Sequence, residues 1–255
     1  MDAWNLEPAR DLGLPPLQRF RSLDREGGLV DWAARGLWWT AIRSYLSLGH
    51  RLAVTGVRNV PREPPYVLIA NHESHFDALV LAAAAAPARH WDRLFPIAAG
   101  DVFFETPAVA AFAAFVLNAL PMWRKNCGPH ALRQLREKLV GDPCIYVLFP
   151  EGGRSRDGRM ARFKAGLGMI VAGTSVPVVP CRLEGAFEAF PAGSAWPRFR
   201  RITLKIGAPL TFAAVPAGRE GWESVAAQSA AAVRALGGEA ARADPAKGGA
   251  APLDY

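Results

Sequence analysis

The sequence predicts an α/β fold: a single domain with a central, mostly parallel sheet flanked by helices, plus an N-terminal amphipathic helix. Three observations predict it. Short apolar runs of strand length alternate with helix-patterned stretches from residue 51 to residue 236, the order that builds parallel sheets through helical crossovers. The 255 residues can bury one substantial core, and no Ser/Gly-rich linker divides them. The run Tyr66-Val67-Leu68-Ile69-Ala70 stops abruptly at the polar stretch Asn71 to Asp77. Ala78-Leu79-Val80-Leu81 and a run of alanines follow, which reads as buried strand, sharp turn and helix.

In order, residues 1–28 carry Pro8, Pro15, Pro16 and mixed charge and are expected to form an irregular arm. Their acids and the lack of an early apolar stretch do not fit a secretory signal. Residues 29–55 are expected to be a membrane-interface helix. Wound at about 100° per residue, Gly36, Thr40, Arg43, Ser44, Ser47 and Arg51 gather into one polar sector. Leu37, Trp38, Trp39, Ala41, Ile42, Tyr45, Leu46, Leu48 and Leu52 take the rest, with Asp31 and Arg35 interrupting only at the start. No run of 18 apolar residues is present, so a spanning helix is not expected. A helix lying in the interface and a helix packed on the core both fit, and the wide apolar sector suits the first.

Residues 56–237 form the main domain. Strands are expected at Arg51 to Gly56, Val67 to Ala70, Leu94 to Ala99, Ala119 to Met122, Cys144 to Phe149, Val176 to Arg182 and Ile202 to Ile206. Helices are expected at Ala78 to Ala86, Ala108 to Leu117, Pro129 to Val140, before Gly173, and at Glu220 to Leu236. The Ala/Gly/Pro/Lys-rich residues 238–255 read as a disordered tail.

Half of the residues are hydrophobic and the formal net charge is +7, with a pI near 9.8. That surplus suits an anionic partner, membrane lipid or nucleic acid. No zinc finger, basic zipper or stacking-aromatic module accompanies it, so nucleic acid is not the expected partner. Cys127, Cys144 and Cys181 show no ligand spacing and read as free buried thiols in a reducing compartment.

The chemistry centres on His72 and Asp77. His72 falls at the carboxyl end of a strand, where open α/β folds place their sites, and Asp77 in the first turn of the next helix. On one regular helix the two would point about 140° apart, so a turn must intervene for them to touch. Given that turn, Asp77 orients one ring nitrogen and leaves the other free as a base. His72-Glu73-x-His75 does not have the four-residue spacing of the HExxH zinc motif, and no second ligand cluster supports a metal. Ser155 and Ser175 lie outside any GxSxG, and Gly166 to Gly173 lacks a dinucleotide fingerprint.

A second cluster is FPEGGRSRDG, Phe149 to Gly158. A strand entering Pro150-Glu151-Gly152-Gly153 exposes backbone N–H groups, and Arg154 and Arg156 flank them, a plausible anion cradle. A carboxylate does not help to hold phosphate, so Glu151 reads as binding a substrate hydroxyl or supporting an arginine. A third is Trp123-Arg124-Lys125, directly after a predicted strand.

Asn-His-x-x-x-x-Asp at 71–77 resembles the signature of the glycerolipid acyltransferases, the group that includes 1-acylglycerol-3-phosphate acyltransferase. FPEGGRS (149–155), FKAG (163–166) and VPVVP (176–180) resemble the later blocks of that family, in the same order, over about residues 55–210. The resemblance implies that Glu151 and Gly152 help to bind the acyl acceptor, that Arg124 binds its phosphate and that Lys164 stands near the same pocket. Gly153 departs from the family, where Thr is frequent.

The function implied is transfer of a fatty acyl group from acyl-CoA or acyl carrier protein to a lysophospholipid hydroxyl, 1-acyl-sn-glycerol 3-phosphate first, in phospholipid biosynthesis. His72 would be the base, Asp77 its orienter, and Arg124, Arg154 and Lys164, with the Gly152 backbone, the holders of the anionic head. No metal or cofactor is expected, because the thioester is already activated, and transfer would be direct. Glycerol 3-phosphate or a lyso-aminolipid as acceptor, and a non-catalytic lipid-binding membrane protein, are the alternatives. The expected place is the cytoplasmic side of the membrane, peripheral or monotopic, on anionic lipid.

Overall fold

The computed structural model of the chain describes residues 13–22, 28–122, 129–191 and 193–237. Among these, β1 (Ala53–Thr55), β2 (Tyr66–Ala70), β3 (Leu94–Ala99), β4 (Leu120–Met122), β5 (Ile145–Leu148), β6 (Val178–Glu184) and β7 (Thr203–Ile206) form one sheet. Their order is β1-β7-β6-β2-β5-β3-β4. Parallel pairing joins β4 to β3, β3 to β5, β5 to β2 and β2 to β6. β7 then runs antiparallel to β6, and β1 parallel to β7, so the sheet is mostly parallel as expected.

β2 is the central strand, and its sequence shows why. All five residues are buried, because Tyr66, Leu68 and Ala70 enter the core on one face of the sheet while Val67 and Ile69 enter the core on the other. A strand covered on both faces reads as an unbroken apolar run.

The helices are α1 (Pro16–Arg21), α2 (Leu29–Gly49), α3 (Asp77–Val80), α4 (Gly100–Phe103), α5 (Pro107–Ala111), α6 (Pro129–Gly141), α7 (Gly166–Val171), α8 (Ala186–Ala189) and α9 (Arg219–Leu236). α3 and α5 each continue into a π-helical turn, Leu81–Ala85 and Phe112–Val116. α2 and α3 cover one face of the sheet, and α6, α7 and α9 the other. Cys144 and Cys181 are free and buried, with burial pushing the Cys144 thiol up to about 12, so both are inert packing groups. Cys127 lies outside the described residues.

The described part of the arm is not irregular. Pro15 and Pro16 do not break structure there; Pro16 occupies the first turn of α1, where its fixed φ and missing N–H are harmless. Phe20 meets Phe115 edge to face at 5.1 Å, and Arg21 donates to the Phe104 carbonyl at 2.6 Å.

α2 divides its apolar sector between two environments. Arg35, Trp39 and Leu46 are buried, with Trp38 and Ile42 packed beside them. Val30, Leu37 and Leu48 are 75–84% exposed. Trp39 and Leu46 therefore belong to the core and not to the lipid-facing set. Arg35 is accommodated because its Nε donates to the Phe115 carbonyl at 2.9 Å, although burial holds its pKa below the usual value. The helix ends before β1, so the sheet begins ahead of residue 56, and the boundary expected there cuts across it. Among the described residues no helix is long and apolar enough to cross a membrane.

Candidate active site

Where β2 ends, its last hydrogen bonds are continued by a side chain. The Asn71 amide donates to the Leu183 carbonyl at 3.0 Å and accepts from the Leu183 N–H at 2.8 Å, tying the strand end to β6. His72 to Phe76 then form the turn required by the spacing, and α3 begins at Asp77. Asp77 is fully buried. Its Oδ2 accepts from His72 Nδ1 at 2.9 Å and from the N–H groups of Glu73 and Ser74 at 2.6 and 2.8 Å. One carboxylate oxygen thus fixes both the turn and the ring it orients.

The Asp77 bond leaves Nε2 as the free nitrogen of the His72 ring. The ring is stacked on Phe149, with centroids 4.1 Å apart and planes 18° apart. The backbone is held as firmly. The His72 N–H donates to Glu151 Oε1 at 2.8 Å, and the His72 carbonyl accepts from the Ser155 N–H at 2.7 Å. Glu151 is buried, and its other oxygen accepts from the Ala161 N–H at 2.8 Å. Burial raises its pKa, and the two backbone donors act against that rise.

Glu151 therefore differs from the expectation that it binds a substrate hydroxyl or supports an arginine. Both of its oxygens are taken by backbone donors beneath the site, one of them from His72 itself.

His72, Ser74, His75, Gly152, Gly153 and Arg154 form the polar part of the lining of a cleft of about 290 Å³. Its walls are apolar, built from Pro96 to Ala99 of β3, Phe103, Leu117, Ala119, Met122 and Phe149. A guanidinium nitrogen of Arg154 lies 2.6 Å from the His75 ring nitrogens. Burial first, then the Arg154 charge, lowers the His75 pKa. Lys164 reaches over Gly152: a Cβ there would stand 2.7 Å from Nζ, and φ is +75°, so position 152 is suited to glycine twice over. Among the described residues no group of three or more His, Cys, Asp or Glu is placed to hold a metal ion.

His72, Asp77, Glu151, Gly152, Arg154 and Lys164 thus come together from three separate stretches, and Arg124 lies outside the described residues. Sequence reasoning missed two features. Phe149 was visible only as the first letter of a motif, and its use as a ring platform follows from β5 lying beside β2. Phe190 carried no signal, yet its carbonyl accepts from the Ser74 hydroxyl at 2.8 Å and the His75 N–H at 3.2 Å.

Fold and site define an α/β domain with a carboxylate-oriented histidine at a strand end above an apolar cleft. Residues 51–184, just over half of the chain, match the Acyltransferase family, and the chain belongs to it. It is 30% identical over 159 residues to the chloroplastic 1-acyl-sn-glycerol-3-phosphate acyltransferase BAT2 of Brassica napus, covering 61% of this chain and 43% of that one. To 1-acyl-sn-glycerol-3-phosphate acyltransferase alpha of Mus musculus it is 28% identical over 134 residues, 52% of this chain and 45% of that one. The chain thus spans less than half the length of these curated relatives. The crystal structure of the 1-acyl-sn-glycerophosphate (LPA) acyltransferase PlsC from Thermotoga maritima has the same fold, with a TM-score of 0.63 and 24% identity over 89% of this chain and 88% of that one.

Proposed function

We propose that the protein transfers a fatty acyl group from a thioester carrier, acyl-CoA or acyl carrier protein, to the free hydroxyl of 1-acyl-sn-glycerol 3-phosphate. The observation that carries this is the 2.9 Å bond between buried Asp77 and Nδ1 of His72, a residue that lines an apolar cleft. Nε2 takes the acceptor's proton as its oxygen attacks the thioester carbonyl carbon, forming the ester C–O bond. The C–S bond then breaks, and the imidazolium returns the proton to the leaving thiolate, restoring the enzyme. Asp77 holds the tautomer and favours the transient imidazolium. No acyl-enzyme is required, because the thioester is activated and the acceptor supplies the nucleophile.

The cleft walls between β3 and Phe149 suit an acyl chain. Arg154 and Lys164, together with Arg124 and the Gly152 backbone, would hold the acceptor's phosphate. Glu151 acts through His72 as a positioning residue. The exposed stripe of α2 suits peripheral attachment to anionic lipid on the cytoplasmic side.

The test is incubation of purified protein with labelled acyl-CoA, and in parallel acyl carrier protein, against a panel of acceptors. Phosphate-bearing lysolipid should be acylated and its phosphate-free monoacylglycerol counterpart poorly used. Equal use of both would remove the anion-holding part of the reading, and no acylation of any lysolipid with either donor would overturn it.

A further inference from the structure

Residues 194–201, Ser-Ala-Trp-Pro-Arg-Phe-Arg-Arg, interleave exposed aromatics with exposed arginines. Trp196 is 82% and Phe199 74% exposed. No Asp or Glu occurs anywhere between Glu188 and Glu220, so nothing acidic on this stretch answers Arg198, Arg200 and Arg201. Such a segment meets water badly through its rings and an anionic surface well through its cations.

Its position joins two features already described. A Cβ built at Gly49, the last residue of α2, would stand 3.1 Å from the Phe199 ring and 3.7 Å from Tyr45. Winding α2 at about 100° per residue places Tyr45 beside Ala41 and Leu48, at the border of the exposed apolar stripe. Segment and stripe are therefore neighbours. On its other side the chain is bonded to the catalytic turn: Ser74 bridges to Pro191, and the Phe190 ring packs on His75 and Phe76 at 4.6 and 5.2 Å. His50 completes the connection, with its ring 4.8 Å from Phe76 and 5.8 Å from Phe199.

We infer that residues 194–201 are a second membrane-docking element, in which Trp196 and Phe199 enter the headgroup boundary while Arg198, Arg200 and Arg201 meet anionic headgroups, holding the catalytic turn at the lipid surface. The occupant is an anionic bilayer, because charge complementarity and continuity with the α2 stripe both point there. The consequence for turnover rests on the acyltransfer reading; the docking itself does not.

Sedimentation of the whole 255-residue chain with phosphatidylcholine vesicles, with and without phosphatidylglycerol, tests it. The protein should bind the anionic vesicles more tightly, and less so as salt rises. R198Q/R200Q/R201Q should lower that binding by about a hundredfold, since each cation near such a surface contributes about fivefold. W196S/F199S should lower it on both vesicle types. Each variant should keep the wild-type thermal transition and its turnover on acceptor dissolved in detergent micelles, and lose turnover on acceptor embedded in vesicles. Should W196S/F199S fail to fold because Phe199 rests on Gly49, W196S alone carries the test. Unchanged vesicle binding in the arginine variant and in W196S overturns the proposal, as would equal binding of wild type to neutral and anionic vesicles. Vesicle binding with no acyl transfer on any acceptor would fault the reaction and leave the docking surface standing.

Discussion

His72 is held by its ring against Phe149, by Nδ1 on Asp77, by its N–H on Glu151 and by its carbonyl on Ser155, so its free nitrogen has little choice of direction. Two predictions follow from how unlike those restraints are. His72→Ala removes the base and Asp77→Asn its orientation; each should lower kcat by about 10²–10⁴-fold with the thermal transition retained. Near-normal turnover in His72→Ala with loss in His75→Ala would assign the base to the wrong ring. Glu151→Gln keeps one acceptor oxygen and loosens the other tie. It should lower kcat by roughly tenfold, in the range of lost outer-shell support, while leaving the KM for acceptor nearly unchanged. A rise in acceptor KM with kcat intact would return Glu151 to the substrate. The pairing of His72 with Asp77 was legible because a fixed spacing implied a specific turn. The use of Glu151 was not, because its partners are backbone N–H groups at positions 72 and 161, which a pattern of side chains cannot name.

At the scale of elements, strands were the most legible part, since burial on both faces gives the central β2 and β5 unbroken apolar runs; the strand expected at Leu94 to Ala99 is found with those bounds. α1 was illegible for the opposite reason. Six residues ending in basic side chains have no helical period of their own, and packing on α5 through Phe20 and Leu17 supplies what the sequence pattern lacks. α2 is the intermediate case: periodicity gave its polar sector but could not divide the apolar sector into core and exposed parts. That division now predicts two classes of variant. Leu46→Ser, at a fully buried position, should destabilise by about 2–5 kcal/mol in chemical denaturation. Leu37→Ser with Leu48→Ser, at exposed positions, should leave the midpoint unchanged and reduce binding to anionic vesicles. Equal stability loss in both classes would mean that the exposed stripe is covered by protein.

For the molecule as a whole, stability should carry a pH signature set by a carboxyl in the catalytic turn. Glu73 is 6% exposed, and burial first, then the neighbouring charge of Asp77, raises its pKa from 4.5 to about 8, with Arg182 opposing. The folded chain then holds a proton that the unfolded chain releases above pH 4.5, so Glu73 favours folding most at low pH. That contribution falls as pH rises from about 4.5 to 8 and is gone above it. Glu151, also raised by burial, acts in the same direction. His50 and His75 act in the opposite one: both are lowered from 6.5 by burial, so the folded state resists protonation and stability falls as pH drops below that value. Wild-type stability should consequently pass through a broad maximum, and only a difference measurement isolates Glu73. Glu73→Gln keeps the shape and removes the titration. Relative to wild type, its denaturation midpoint should shift upward progressively between pH 5 and 8 and then run parallel. A constant offset across that range would show that Glu73 is already ionised in the folded protein, with Arg182 outweighing burial.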